Sequence, residues 1–126
     1  MQGQYGRMAN LGDTAAQSFY GHILLFRGQG LGAREEGLRL LRLAAQGGDG
    51  KAAYQLGVQA MQGDTRQVPD AVQAVRWWEM AATAGHPLAS GRLSQLYREG
   101  APGLEADPQA AERYAAMADE ASRSGR

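Results

Sequence analysis

The feature that most restricts this chain is that it repeats itself. Leu40, Trp77 and Tyr114 stand in the segments LLRLAAQGG, WWEMAATAG and YAAMADEAS, each 37 residues beyond the last. The same offset carries Gly37 to Ala74 to Ala111, Ala44 to Ala81 to Ala118, and Gly48 to Gly85 to Ser122. A second set recurs upstream, with Ala16 before Tyr20-Gly21, Ala52 before Leu56-Gly57 and Ala89 before Leu93-Ser94; here the first step is one residue shorter. A period of roughly 20 to 50 residues means stacked supersecondary units, none of which can cover its apolar face alone, so about three are needed for stability. The 126 residues hold about that many.

Each unit reads as two helices. In the first, a small residue stands four positions before a large one, which puts both on one helical face, and Gly28, Gly63 or Gly100 follows as a stop. The second opens on a cap: Asp70 precedes the first turn with Gln73 three residues on, and Asp107 is followed by Pro108 at the first helical position. The expected helices cover residues 14 to 27, 34 to 47, 50 to 62, 70 to 84, 87 to 99 and 107 to 121. The first unit departs from the pattern, because Ala33 stands at the cap position and Gly37 where the others have Ala. Its second helix should be weaker by about 1 to 2 kcal/mol, with fraying near residues 29 to 37.

The fold class expected is an all-α, α/α solenoid of about three two-helix repeats with a leading half-repeat. Its units span 13 to 48, 49 to 85 and 86 to 122, after a partial repeat over 1 to 12. That partial unit follows from YGRMANLGD, where Ala9 precedes Gly12 as Ala45 precedes Gly48; it either caps the stack or is the cut end of a longer one. Small residues let neighbouring helices approach, while Tyr20, Leu40, Leu56, Trp77, Leu93 and Tyr114 fill the space between them. Trp77 is assigned to the core, and Trp78, about 100° round the helix, to partial exposure, with a contact role on the outer face as an alternative to exposure alone.

Composition narrows the function classes. Lys plus Arg and Asp plus Glu number 13 each, so no overall field draws nucleic acid or an anionic membrane. With no Cys, thiolate metal sites, a cysteine nucleophile and disulfides are excluded. The opening residues lack a signal peptide's basic and apolar regions, and no stretch is long and apolar enough to insert in a membrane. The expected location is cytoplasmic if Met1 is the native start, and periplasmic or secreted if a signal was removed. His22 and His86 fall in different units, so no metal or other cofactor is expected. Gly28, Gly30 and Gly32 have neither a strand before them nor GK[ST] after, and read as an inter-helix loop. Glu35-Glu36 reads as a charged first turn rather than an acid/base pair.

The pattern A-x-x-x-L-G, a Gly-bearing loop, then D-x-x-x-A-x-x-W-x-x-x-A-A-x-x-G resembles the Sel-one-like repeat (SLR) family, relatives of the tetratricopeptide repeats. Ala52, Leu56, Gly57, Gly63, Asp70, Ala74, Trp77, Ala81, Ala82 and Gly85 carry it in the second unit, and the third differs by Ser94 for Gly and Asp119 for the second Ala. The resemblance implies a right-handed α/α solenoid, a superhelix whose first helices line a concave groove, and adaptor or scaffold roles, in bacteria often around envelope, secretion or host-contact systems.

On that reading the groove is lined by Ser18, Phe19, His22, Leu25 and Phe26, then Lys51, Tyr54, Gln55, Val58, Met61 and Gln62, then Arg92, Gln95, Arg98 and Glu99. Its aromatic start and basic end suit a protein or peptide with apolar anchors at one end and a carboxylate at the other. The alternative for Phe19 and Phe26 is packing on the leading half-helix or on a removed repeat, with the arginines solvated. The function expected is a non-catalytic protein-interaction module. Alternatives are an immunity or chaperone-like protein for a secreted effector, self-association through solenoid ends, and a β-lactamase-like hydrolase, against which the missing Cys and S-x-x-K motif argue.

Overall fold

A computed structural model describes residues 12–64 and 67–124. They form six helices: α1 (Thr14–Arg27), α2 (Gly30–Gln46), α3 (Gly50–Gln62), α4 (Ala71–Thr83), α5 (Ala89–Glu99) and α6 (Pro108–Ser124). Apart from Gly12, the expected half-repeat over 1 to 12 lies outside the described residues. α1 packs on α2, α3 on α4 and α5 on α6 as hairpins; α2 then packs on α3, α4 on α5, and α1 also touches α3. The result is an all-α repeat solenoid, its one extended pairing among the described residues an isolated bridge between Ala101 and Leu104.

Four of the six helices start where a carboxylate oxygen takes up an unpaired first-turn N–H. Asp70 Oδ1 accepts from Gln73 N–H at 3.0 Å and Asp107 Oδ1 from Ala110 N–H at 3.1 Å, as the sequence suggests. The first helices of the first two repeats are capped too, unlike α5: Asp13 Oδ1 accepts from Ala16 N–H at 2.9 Å. Asp49 Oδ2 accepts from Ala52 N–H at 2.8 Å and also from Ser18 Oγ at 2.7 Å, so one carboxylate caps α3 and ties it to α1. Asp49→Ala is expected to cost about 1–2 kcal/mol, read as a lower urea midpoint at unchanged m-value. Asp13→Ala, which lacks the cross-repeat bond, should cost less.

α2 begins at Gly30, four residues before the expected start, and its N-cap Gln29 makes no side-chain cap bond. The extra turn is held by packing instead. Gly28 leaves room for Ala33, and Arg34 donates to Gln59 Oε1 at 2.8 Å and pairs with Asp64 at 3.4 Å. Gly37 lies against α1, where an added Cβ would come within 2.9 Å of Gly21 O and of Leu25 N. The residue that lowers helix propensity is thus the one that lets α1 and α2 meet. α5 begins two residues later than expected because Pro87 and Leu88 form a turn ahead of Ala89.

The core contains Leu40, Leu56 and Leu93 as expected, with Tyr20, Trp77 and Tyr114 half-buried against it. The two tryptophans are the correction. Trp78 is 3% exposed, and α4 buries Ala71, Ala74, Val75, Trp78 and Ala81, an i, i+3, i+4, i+7, i+10 stripe that leaves Trp77 on its edge. Gly57 of α3 stands opposite, and any side chain there would run into the Trp78 indole. Trp78 is a core residue with no contact role on the outer face.

Candidate functional site

The expected groove residues lie on α1, α3 and α5, and the structure joins some of them. Tyr54 organises the middle. Its carbonyl accepts from Trp78 Nε1 at 3.1 Å, its hydroxyl accepts from Arg92 Nε at 3.0 Å, and its ring stacks on His86 at 4.3 Å. Beside it Met61, Trp78, Arg92, Gln95, Leu96 and Glu99 line a depression of about 180 Å³ between α3 and α5. Met61 and Leu96 supply apolar walls, while Arg92, Gln95 and Glu99 supply donors and acceptors at the mouth.

Arg98 is placed differently. It donates to Ser94 Oγ at 3.5 Å and opens, with Gln95 and Glu99, onto a shallow surface shared with Ala115, Ala118 and Asp119 of α6. Arg92 and Arg98 therefore face opposite neighbours, α3 and α6. On α1, Phe26 is 62% exposed and stacks on His22 at 6.3 Å, while His22 Nδ1 sits 2.7 Å from Ser18 O. Phe19 is exposed one turn away. Ser18 is buried, and Leu25 and Val58 pack against the core, so these three turn inward. Gln55 is half-buried, and Lys51 and Gln62 are exposed on α3.

Two features escaped the sequence reading. One is a series: His86 stands 37 residues after the capping Asp49. It does not cap α5, whose N-cap Leu88 has no side-chain cap bond; its Nδ1 instead holds the turn ahead of the helix, accepting from Leu88 N–H at 3.2 Å. Burial first, and then the Lys51 charge, hold this imidazole below its usual value, against an opposing pull from Asp49. The unfolded chain then binds the proton more readily than the folded one. The stabilisation is complete above about pH 6.5 and lost as pH falls through and below that value. Unfolding midpoints between pH 7.5 and 5.5 should decline in the parent and flatten in His86→Asn, which keeps an acceptor that does not titrate in this range.

The other feature is a cavity of about 140 Å³ on the flank of the stack, where α2 meets α3, the loop after it and α4; Arg34, Gln59, Gln73 and Trp77 are among its walls. Comparing residues 34, 59, 60, 67 and 73 with those 37 positions on would have drawn attention to it. Among the described residues no group of three or more His, Asp or Glu is arranged to hold a metal ion, and no helix is long and apolar enough to cross a membrane.

Stacked helical hairpins with an open, mixed apolar and polar face along their first helices define a helical-repeat protein. Residues 14–49, 50–86 and 87–118 each match the Sel1 repeat, and the chain belongs to the Sel1 repeat family. Two solved structures share the fold. A protective antigen of uropathogenic Escherichia coli strains with an SLR fold superposes with a TM-score of 0.79 at 21% identity, over 94% of this chain and 25% of its own. A Sel1 repeat protein from Oxalobacter formigenes does so at 0.79 and 25% identity, over 95% of this chain and 48% of its own. This chain thus spans a quarter and about half of their lengths. No curated protein matches it in sequence. Sel1 repeat proteins generally mediate protein–protein interaction, and their fold is typically a non-catalytic module.

Proposed function

We propose that this chain is an adaptor that binds a protein or peptide segment across α3 and α5. The observation that carries the reading is the depression between Met61, Trp78, Arg92, Gln95, Leu96 and Glu99, with Arg92 held in place by Tyr54. An apolar floor with a positioned guanidinium at its mouth suits an apolar anchor residue followed by a carboxylate. Phe26 and His22 extend the surface along α1, and Arg98 extends it toward α6.

The reading is tested with a partner recovered by pulldown and then measured as a purified component. Arg92→Glu and Met61→Ala should each weaken its binding about tenfold or more, a loss above about 1.4 kcal/mol. Arg98→Glu should weaken it less, because Arg98 faces α6. Undiminished binding by the Arg92→Glu, Met61→Ala double variant, with its helical content intact, refutes the groove. A nitrocefin turnover assay checks the hydrolase alternative and is expected to give no turnover.

A further inference from the structure

Superposing the repeats on their own register exposes a site that the groove does not use. The cavity between α2, α3 and α4 is lined by Arg34, Gln59, Ala60, Gln67, Gln73 and Trp77 among others. Thirty-seven residues on, the same positions are Ala71, Leu96, Tyr97, Leu104, Ala110 and Tyr114. There they form a filled apolar seam. Ala71, Leu96 and Ala110 are buried, Leu104 packs on the core, and the Tyr97 ring lies flat on the Tyr114 ring at 5.9 Å and 3°.

Two changes separate the seam from the cavity. Ala60 replaces Tyr97, so the ring that covers Tyr114 has no counterpart over Trp77, on which no ring stacks among the described residues. Around that vacancy four apolar positions become Arg34, Gln59, Gln67 and Gln73. A seam that had merely lost a ring would keep apolar walls; this one offers an indole face rimmed with amide and guanidinium groups. The volume, about 140 Å³, is close to the roughly 150 Å³ that accommodates benzene in an engineered cavity.

We propose that this cavity binds a planar ring with a polar group on its edge, a phenol above all, stacked on Trp77 where Tyr97 stacks on Tyr114. The internal template sets the chemistry. Glu79 accepts from the Tyr114 hydroxyl at 3.2 Å, and its charge also acts on the hydroxyl of Tyr97, the ring whose place the ligand takes; the residue corresponding to Glu79 is Arg42, also on the cavity wall. The edge of the bound ring therefore meets Arg42, Gln59 and Gln73, which can donate to a phenolic oxygen, and the amide oxygens of the two glutamines can accept its proton. Arg34, held by Gln59 and Asp64, fixes the rim. The phenol can be a tyrosine side chain of a partner segment or a free small molecule.

The test follows the indole Nε1–H signal of Trp77 in the ¹⁵N-labelled chain, assigned by its loss in Trp77→Phe. Titration with p-cresol should shift it saturably at millimolar concentration, leaving the Trp78 signal, which is bonded to Tyr54 O, nearly still. The peptide Gly-Tyr-Gly is added separately. A shift with both probes identifies a side chain within a peptide as an acceptable source, and a shift with p-cresol alone identifies a free phenol. Ala60→Tyr rebuilds the seam and should abolish the shift or weaken binding at least tenfold. Gln73→Ala, at an exposed position of α4, should weaken it several-fold with the fold unchanged. No shift with either probe, a shift equal in Ala60→Tyr and Gln73→Ala, or a stronger response to methyl glucoside than to p-cresol would overturn the proposal.

Discussion

Replacing Trp78 by alanine is expected to cost about 3–5 kcal/mol and to lower the melting temperature by about 10–25 °C. The side chain is 3% exposed and belongs to the cluster that joins α2, α3, α4 and α5. Its removal empties the space above Gly57 and leaves the Tyr54 carbonyl without its indole donor. Trp78→Phe keeps most of the packing and loses the bond, so about 1–3 kcal/mol is expected there. Trp77→Ala, from the edge of the stripe, should cost about 1–2 kcal/mol. The reverse order of the two alanine variants would refute the core assignment. A double-mutant cycle gives a sharper check. Gly57→Ala should destabilise the parent by about 1–3 kcal/mol, because its methyl group meets the indole, and should be tolerated in the Trp78→Ala background.

The tryptophan pair also marks the limit of what the repeat register could tell. Trp77 and Trp78 both fall between Ala74 and Ala81, one on each side of the line joining them, so spacing along α4 leaves their order open. The choice is made by α3, whose Gly57 clears a space on the Trp78 side only. Helix number, hairpin pairing and the Asp70 and Asp107 caps were legible because each depends on local spacing or on a side chain reaching three residues along its own chain. The Ser18 to Asp49 bond and the split between Arg92 and Arg98 were not, since they depend on which neighbouring helix a flank faces. His86 is intermediate. Its register with Asp49 is visible in the sequence, but only the bond to Leu88 N–H reveals that it holds the turn ahead of α5.

Glycines within α2 and α5 supply the other large effect, with opposite signs expected at two positions of α2. Propensity alone says that alanine in a helix interior is worth up to about 1 kcal/mol over glycine. At Gly32 of α2 and Gly91 of α5 a Cβ would meet nothing within 4 Å. Gly32→Ala and Gly91→Ala should therefore each stabilise the fold, by about 0.5–1 kcal/mol. Gly37 lies on the same helix as Gly32, but its Cβ would come within 2.9 Å of two backbone atoms of α1, Gly21 O and Leu25 N, and 3.1 Å from Leu24 Cβ. A backbone cannot turn aside as a side-chain tip can, so the α1–α2 hairpin must open. Overpacking of that kind costs about 1–3 kcal/mol, more than propensity returns. Gly37→Ala should be destabilising on balance, and Gly37→Leu should cost about 3 kcal/mol or more, with the loss concentrated in α1 and α2. Amide exchange separates this from a propensity effect: Gly32→Ala should slow exchange in the first turns of α2, whereas Gly37→Leu should speed it in α1 and α2 together. Because α1 also touches α3 and shares the Asp49 cap with it, the opened hairpin should weaken the start of α3 next and leave α6 unchanged.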